Sequence, residues 1–218
     1  MVPVSLALEP GGRILVLGCH ADDAEIGCGG TVLTLLEREP TLEVTWVVLS
    51  AGGARDAEAR ASAAAFLAAG EREPELVIES FRDGFLPYLG VEVKEFFEEL
   101  KGRVSPDVVL THAGIDLHQD HRLVSELTWN TFRDHLILEY EVPKYDGDLR
   151  SPNVFVPLTE AVLERKVELL LEQFPSQGGK HWFDGDLFRG LARLRGAEAN
   201  SPTRFAEGFR CRKLVLSS

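Results

Sequence analysis

From Arg13 onward, short β-branched or leucine-rich runs alternate with longer helical patterns, and this alternation leaves the chain few architectures. Parallel strands in one sheet require a crossover, usually a helix, between each pair. Strands are expected at Arg13–Gly18, Leu42–Leu49, Leu76–Glu79 and Asp107–Thr111. Between and after them, helices are expected over Gly27–Glu39 (stopped by Pro40), Asp56–Ala69 (ending at Gly70), Val91–Arg103 and Arg122–Asp134. Further on the pattern loosens. Leu136–Val142 and Asn153–Pro157 read as strands, Thr159–Phe174 as a helix with Thr159 as its N-cap, and Cys211–Leu216 as an edge strand. No repeat or flexible linker interrupts the 218 residues, so the expectation is one domain over 1–218. Its fold class is α/β: a Rossmann-like three-layer sandwich with a mostly parallel sheet and an added C-terminal layer.

Charge narrows the function. Lys and Arg total 23 against 35 Asp and Glu, a formal charge of −12, which argues against a duplex nucleic-acid partner needing a basic face. No run of about 18 apolar residues provides a membrane span. Met1–Gly12 holds no Lys or Arg and no apolar stretch of signal-peptide length. Three cysteines, Cys19, Cys28 and Cys211, suit a reducing compartment, and a cytoplasmic location is the expectation. The oligomeric state is left open, a homo-oligomer included.

Two polar clusters fall where a parallel sheet gathers its ligands. His20-Ala21-Asp22-Asp23 follows the first strand, and His118-Gln119-Asp120-His121 lies in the loop after the fourth. With strand order 3-2-1-4-5 these strands are neighbours, and the crevice at their carboxyl ends is the topological switch point. Two imidazoles and a carboxylate suit a catalytic divalent metal with an open position, so His20, Asp23 and His121 are the natural ligand set. Asp22 is then free to take a proton from water. His118 can donate where His121 ligates, and Asp120 can hydrogen-bond the second nitrogen of one of these rings. Each aspartate is equally well placed to cap a helix. Gly27-Cys28-Gly29-Gly30 lacks the G-x-G-x-x-G spacing and reads as close helix packing rather than a phosphate turn. Cys19 projects to the opposite face of the strand from His20, and both Cys19 and Cys28 read as buried structural thiols. His112, His135 and His181 have no local partner and receive no role.

At these residues the sequence resembles the LmbE-like (PIG-L) family of zinc-dependent N-acetylglucosamine deacetylases. The family signature (A/P)-H-(A/P)-D-D-E is met by Cys19-His20-Ala21-Asp22-Asp23-Ala24-Glu25, with Ala24 inserted before the acid, and H-x-D-H by His118-Gln119-Asp120-His121. Arg55-Asp56-Ala57-Glu58-Ala59, Ser176-Gln177 and Phe205-Ala206-Glu207-Gly208-Phe209 are similar to further family segments. The resemblance implies Zn2+ on His20, Asp23 and His121, Asp22 as general base, and a charged His118, paired with Asp120, stabilising the oxyanion or protonating the leaving amine. The implied substrate is a small-molecule N-acetyl amino sugar or glycoconjugate. Arg55 would meet an acidic or polyhydroxyl part of it, or else pair with Glu58 at a helix start. Two departures touch sugar specificity: Gly52-Gly53-Ala54 lacks the acid of the family's Gly-Glu, and Phe205 replaces a tyrosine. A two-metal phosphoesterase and a non-catalytic sugar or metal sensor are the rival readings. The first needs more bridging carboxylates, and the second needs neither Asp22 nor His118.

Overall fold

Every residue of β1 (Arg13–His20) after Arg13 is buried, as befits a central strand covered on both faces. The protein is described here by a computed structural model covering residues 4–6 and 8–216; residues 1–3 and 7 of the N-terminal run, and 217–218, lie outside it. The strands β2 (Glu43–Ser50), β3 (Glu75–Ile78), β4 (Val108–His112), β5 (Leu136–Tyr140), β6 (Val154–Leu158) and β7 (Phe205–Arg210) join β1 in one sheet of order β3-β2-β1-β4-β5-β7-β6. β3 to β5 run parallel, and β7 lies antiparallel to both neighbours. The expected order of the first five strands is the order found.

Strand alternation sorts the helices into two layers. Ile14 and Val16 pack with α1 (Asp23–Arg38), α2 (Ala54–Phe66), α5 (Glu160–Gln173) and α6 (Gly185–Glu198). Leu15, Leu17 and Cys19 pack on the other face with α3 (Gly90–Arg103) and α4 (Gln119–Thr131). Thr159 caps α5 as expected, its side chain accepting from Val162 N–H at 3.2 Å. Cys28 lies in the first layer's core.

The C-terminal third departs from expectation. Rather than forming an added layer, β6 and β7 extend the sheet, and α5 and α6 complete the layer begun by α1. The last strand is Phe205–Arg210, not Cys211–Leu216. It ends where the Asn153 side chain takes over the main chain of Cys211, accepting from its N–H at 2.8 Å and donating to its carbonyl at 3.0 Å.

Helices α1 and α4 begin about one turn earlier than the periodicity suggests, at Asp23 and Gln119. The two polar clusters therefore sit at the N-termini of α1 and α4, where the macrodipole favours carboxylates. α1 can press on the sheet because a Cβ at Gly27 would lie 2.1 Å from the Tyr140 ring on β5. The glycine cluster is thus mid-helix packing, with no free helix terminus to receive a phosphate.

Candidate metal centre

His20 ends β1, Asp23 opens α1, and His121 stands in the first turn of α4. Their atoms converge. His20 Nδ1 is 3.1 Å from Asp23 Oδ2 and 3.1 Å from His121 Nε2, and His121 Nε2 is 3.2 Å from Asp23 Oδ2. Ligands at the usual zinc distances in a tetrahedron stand about 3.3 Å apart, so these three atoms form one near-regular face of such a tetrahedron. All three residues are buried. Burial lowers the pKa of both rings, yet the Asp23 and Asp120 carboxylates help to outweigh it at His20, and Asp23 and Asp116 raise His121 to about 9. Surroundings that favour positive charge this strongly are those a cation would exploit, and the donor set fits a divalent ion.

Behind each ring stands a carboxylate. His121 Nδ1 meets Asp116 Oδ2 at 2.9 Å, while His20 Nε2 lies 3.0 Å from Asp83 Oδ1 and 3.5 Å from Asp120 Oδ2. This fixes the ring orientations and leaves His20 Nδ1 and His121 Nε2 as the atoms that could hold an ion. The Asp120 carboxylate is not paired with His118, as the resemblance implies it to be. The Asp120 carboxylate accepts from Gly84 and Leu86 N–H at 2.7 and 3.1 Å and backs His20 instead. Only the Asp120 backbone N–H reaches His118, donating to Nδ1 at 3.3 Å. Burial and the neighbouring His121 and His20 hold the His118 pKa below the ordinary value. That shift disfavours the expected positive charge, and a neutral ring with Nδ1 accepting carries its proton on Nε2.

Asp22 is buried at the α1 N-cap position but makes no capping bond; Arg55 Nη2 grips its Oδ1 at 2.8 Å. Burial, joined by the Asp23 charge, raises the Asp22 pKa against the pull of Arg55. The alternative pairing of Arg55 with Glu58 is not found, since Glu58 turns to Ser176, accepting from its N–H at 3.0 Å and its Oγ at 2.6 Å. Glu25, bonded to Ser62 at 2.7 Å, is pushed up to about 8 by burial. Cys19 packs on the α3/α4 face as expected, with its thiol pushed up to about 12 by burial. It lies within reach of the same ligand group, but its Sγ approaches His20 Nε2, at 3.8 Å, on the ring edge away from the three-atom face.

His112 was the histidine that spacing alone could not place. It ends β4 next to β1, stacks on His121 with ring centroids 3.9 Å apart, and accepts from Cys19 N–H at 3.0 Å. Tyr140 Oη, which donates to Leu17 O at 2.6 Å, sits 3.2 Å from the same nitrogen. Burial, aided by His121, lowers His112 to about 4, so it is a neutral wall of the site. Its signal was position: it occupies the same sheet edge as His20. Asp83 and Asp116, on the loops after β3 and β4, carried no periodic signal. His135 and His181 lie outside the cluster, and His135 packs edge-on to Phe132.

The profile of the PIG-L family, described as GlcNAc-PI de-N-acetylase, matches residues 15–132, more than half of the chain. The chain belongs to the PIG-L family. The matched stretch runs from β1 to the end of α4 and holds all of the site residues above except Tyr140 and Ser176. No curated protein matches the sequence significantly. Among solved structures of PIG-L-like fold, N,N'-diacetylchitobiose deacetylase from Pyrococcus horikoshii superposes with a TM-score of 0.68 at 20% identity, covering 94% of this chain and 87% of the other. The 4-carboxy-2-hydroxymuconate hydratase GalB from Pseudomonas putida KT2440 gives 0.75 at 16% identity, covering 95% and 98%. A zinc-inhibited form of teicoplanin deacetylase gives 0.67 at 16%, covering 90% and 96%. At these identities the likeness establishes the fold, which here carries both deacetylases and a hydratase.

Proposed function

We propose that this PIG-L chain is a zinc-dependent hydrolase that removes the N-acetyl group from an N-acetylglucosamine-type sugar or glycoconjugate, giving acetate and a free amine. The observation that carries the reading is the three-atom face of His20 Nδ1, Asp23 Oδ2 and His121 Nε2, with edges of 3.1, 3.1 and 3.2 Å. A divalent ion held there would supply Lewis-acid polarisation of an amide carbonyl and a more acidic water.

Asp22 is the general base. Arg55 fixes its Oδ1, leaving Oδ2 to take a proton from the attacking water, and its raised pKa suits that task. As the water oxygen bonds to the acetyl carbon, the developing oxyanion is stabilised by His118 Nε2–H, whose direction is set by Nδ1 accepting from Asp120 N–H. A neutral His118 has no proton to give to the leaving group without becoming an anion. The protonated Asp22 therefore delivers its proton to the amine nitrogen as the C–N bond breaks. Asp83, whose side chain is 68% exposed while touching His20, is available to accept from a sugar hydroxyl, the task left vacant at Gly52-Gly53-Ala54.

A single ion favours amide hydrolysis over the two-metal phosphoesterase. The other His/acid groupings among the described residues, His20-His118-Asp120 and His112-Asp116-His121, reuse His20 and His121 and so add no independent second site. The test is acetate release from N-acetylglucosamine and its glycosides by the zinc-loaded chain, abolished by chelation and restored by zinc. Absence of acetate across such a panel would sink the deacetylase reading; phosphate release from phosphoesters would revive the first rival, and zinc-dependent sugar binding alone the sensor.

A further inference from the structure

Beyond the residues that touch substrate or ion, a chain of buried hydrogen bonds runs from His121 out to the loop that leaves β5. Asp116 Oδ2 holds His121 Nδ1 at 2.9 Å. The other oxygen of Asp116 accepts from His118 N–H at 2.8 Å and from the Lys144 ammonium at 2.9 Å. Lys144 also donates to Asp148 Oδ2 at 2.7 Å, and that same oxygen accepts from Leu117 N–H at 2.7 Å. Two carboxylates thus secure consecutive backbone amides, Leu117 and His118, and one ammonium joins the carboxylates. All three side chains are nearly enclosed, with side-chain exposures of 4% for Asp116, 3% for Asp148 and 11% for Lys144.

We propose that Lys144 is a positioning residue of the metal centre, latching Asp116 behind His121 and the His118 backbone at the start of α4. Removing its charge leaves two enclosed carboxylates bound to adjacent amides with no cation between them. Their mutual repulsion is then relieved by movement of residues 116–118. That segment carries both the partner of His121 and the N-cap histidine of α4, so the ligand face loses its shape together with the oxyanion donor. Lys144 itself remains charged: burial pulls its pKa down, and Asp148 and Asp116 more than offset that. No local pattern marks Lys144, which lies outside both polar clusters and outside the family match.

This inference rests on the metal reading above, and the experiment separates the two. Zinc affinity of the full chain is measured by competition with a chromogenic chelator for the parent, Lys144→Met and Lys144→Ala, with the Tm of each metal-free protein alongside. Lys144→Met keeps the packing of the side chain and removes the charge; it is expected to lose about 10- to 100-fold in zinc affinity, the range seen when partners behind metal ligands are lost. Lys144→Ala is expected to lose as much and to regain most of it in ethylammonium, which can refill the vacated space, but not in tetramethylammonium at equal ionic strength. Affinities within twofold of the parent, or a loss that ethylammonium leaves unchanged, would overturn the latch. A parent that binds no zinc would overturn the metal reading and the latch with it.

Discussion

Helix α1 touches two buried ionic clusters that are built on opposite plans. Two turns into the helix, the Glu207 carboxylate from β7 accepts from Gly30 N–H at 2.8 Å, Thr31 N–H at 2.7 Å and Thr31 Oγ1 at 2.6 Å. Lys166 from α5 donates to Glu207 and to Ile26 O, both at 2.6 Å. In a regular helix Gly30 N–H and Ile26 C=O pair with each other; here each has an outside partner and the ion pair is closed on itself. At the helix start, by contrast, three lone-pair donors from His20, Asp23 and His121 face one another at about hydrogen-bond distance, and only protons or a cation can hold them there. A complete set of partners marks a structural cluster. An excess of converging donors marks a site.

The contrast breaks most sharply at Asp22, which belongs to the open cluster without being a ligand. Asp22→Asn is expected to keep zinc while lowering turnover about 10²- to 10⁴-fold, the usual contribution of a general base, as read by acetate release per bound zinc. Full activity in the zinc-loaded variant would remove Asp22 from the chemistry. In the closed cluster, Lys166→Met leaves Glu207 buried without its cation and should cost about 3–5 kcal/mol in urea unfolding. Zinc affinity of the folded fraction should not change; a matching loss of zinc would mean the clusters are not separable.

Acid should distinguish them next. With His121 raised to about 9 in the metal-free chain, its ring carries a proton below that pH that zinc must displace. Affinity therefore rises with pH, by about tenfold per unit for each proton released, or about a hundredfold between pH 6 and 8 for His121 alone. The metal-free protein has the opposite sign. A histidine raised from 6.5 to about 9 contributes stability that is complete below 6.5 and lost as pH rises through 9. Flat zinc affinity across this window would show that the His121 ring is already free of its proton.

Much of this contrast is legible in the sequence. His20, Asp23 and His121 could be found because strand ends on neighbouring strands must share a crevice, and a doubly wound order of 3-2-1-4-5 makes strands 1 and 4 neighbours. His112 obeys the same rule and was missed because its partners Cys19, Tyr140 and His121 come from other segments. Asp83, Asp116 and Lys144 were invisible for another reason: loops carry no periodicity, and their contacts depend on how three separate turns meet. In the C-terminal third, Gly190, Gly196 and interleaved arginines blur the stripe of α6, although Asp184 caps it, accepting from Asp186 and Leu187 N–H at 2.8 and 2.9 Å. The role of Glu207 within α1 likewise depends on a strand 177 residues away from Gly30.

Calorimetric titration of the metal-free chain with zinc near pH 7.5, repeated in buffers of different ionisation enthalpy, tests the central claim most directly. One ion per chain, bound with release of protons and lost on His121→Ala, is the predicted result. No binding, two ions per chain, or binding that survives His121→Ala would contradict the account.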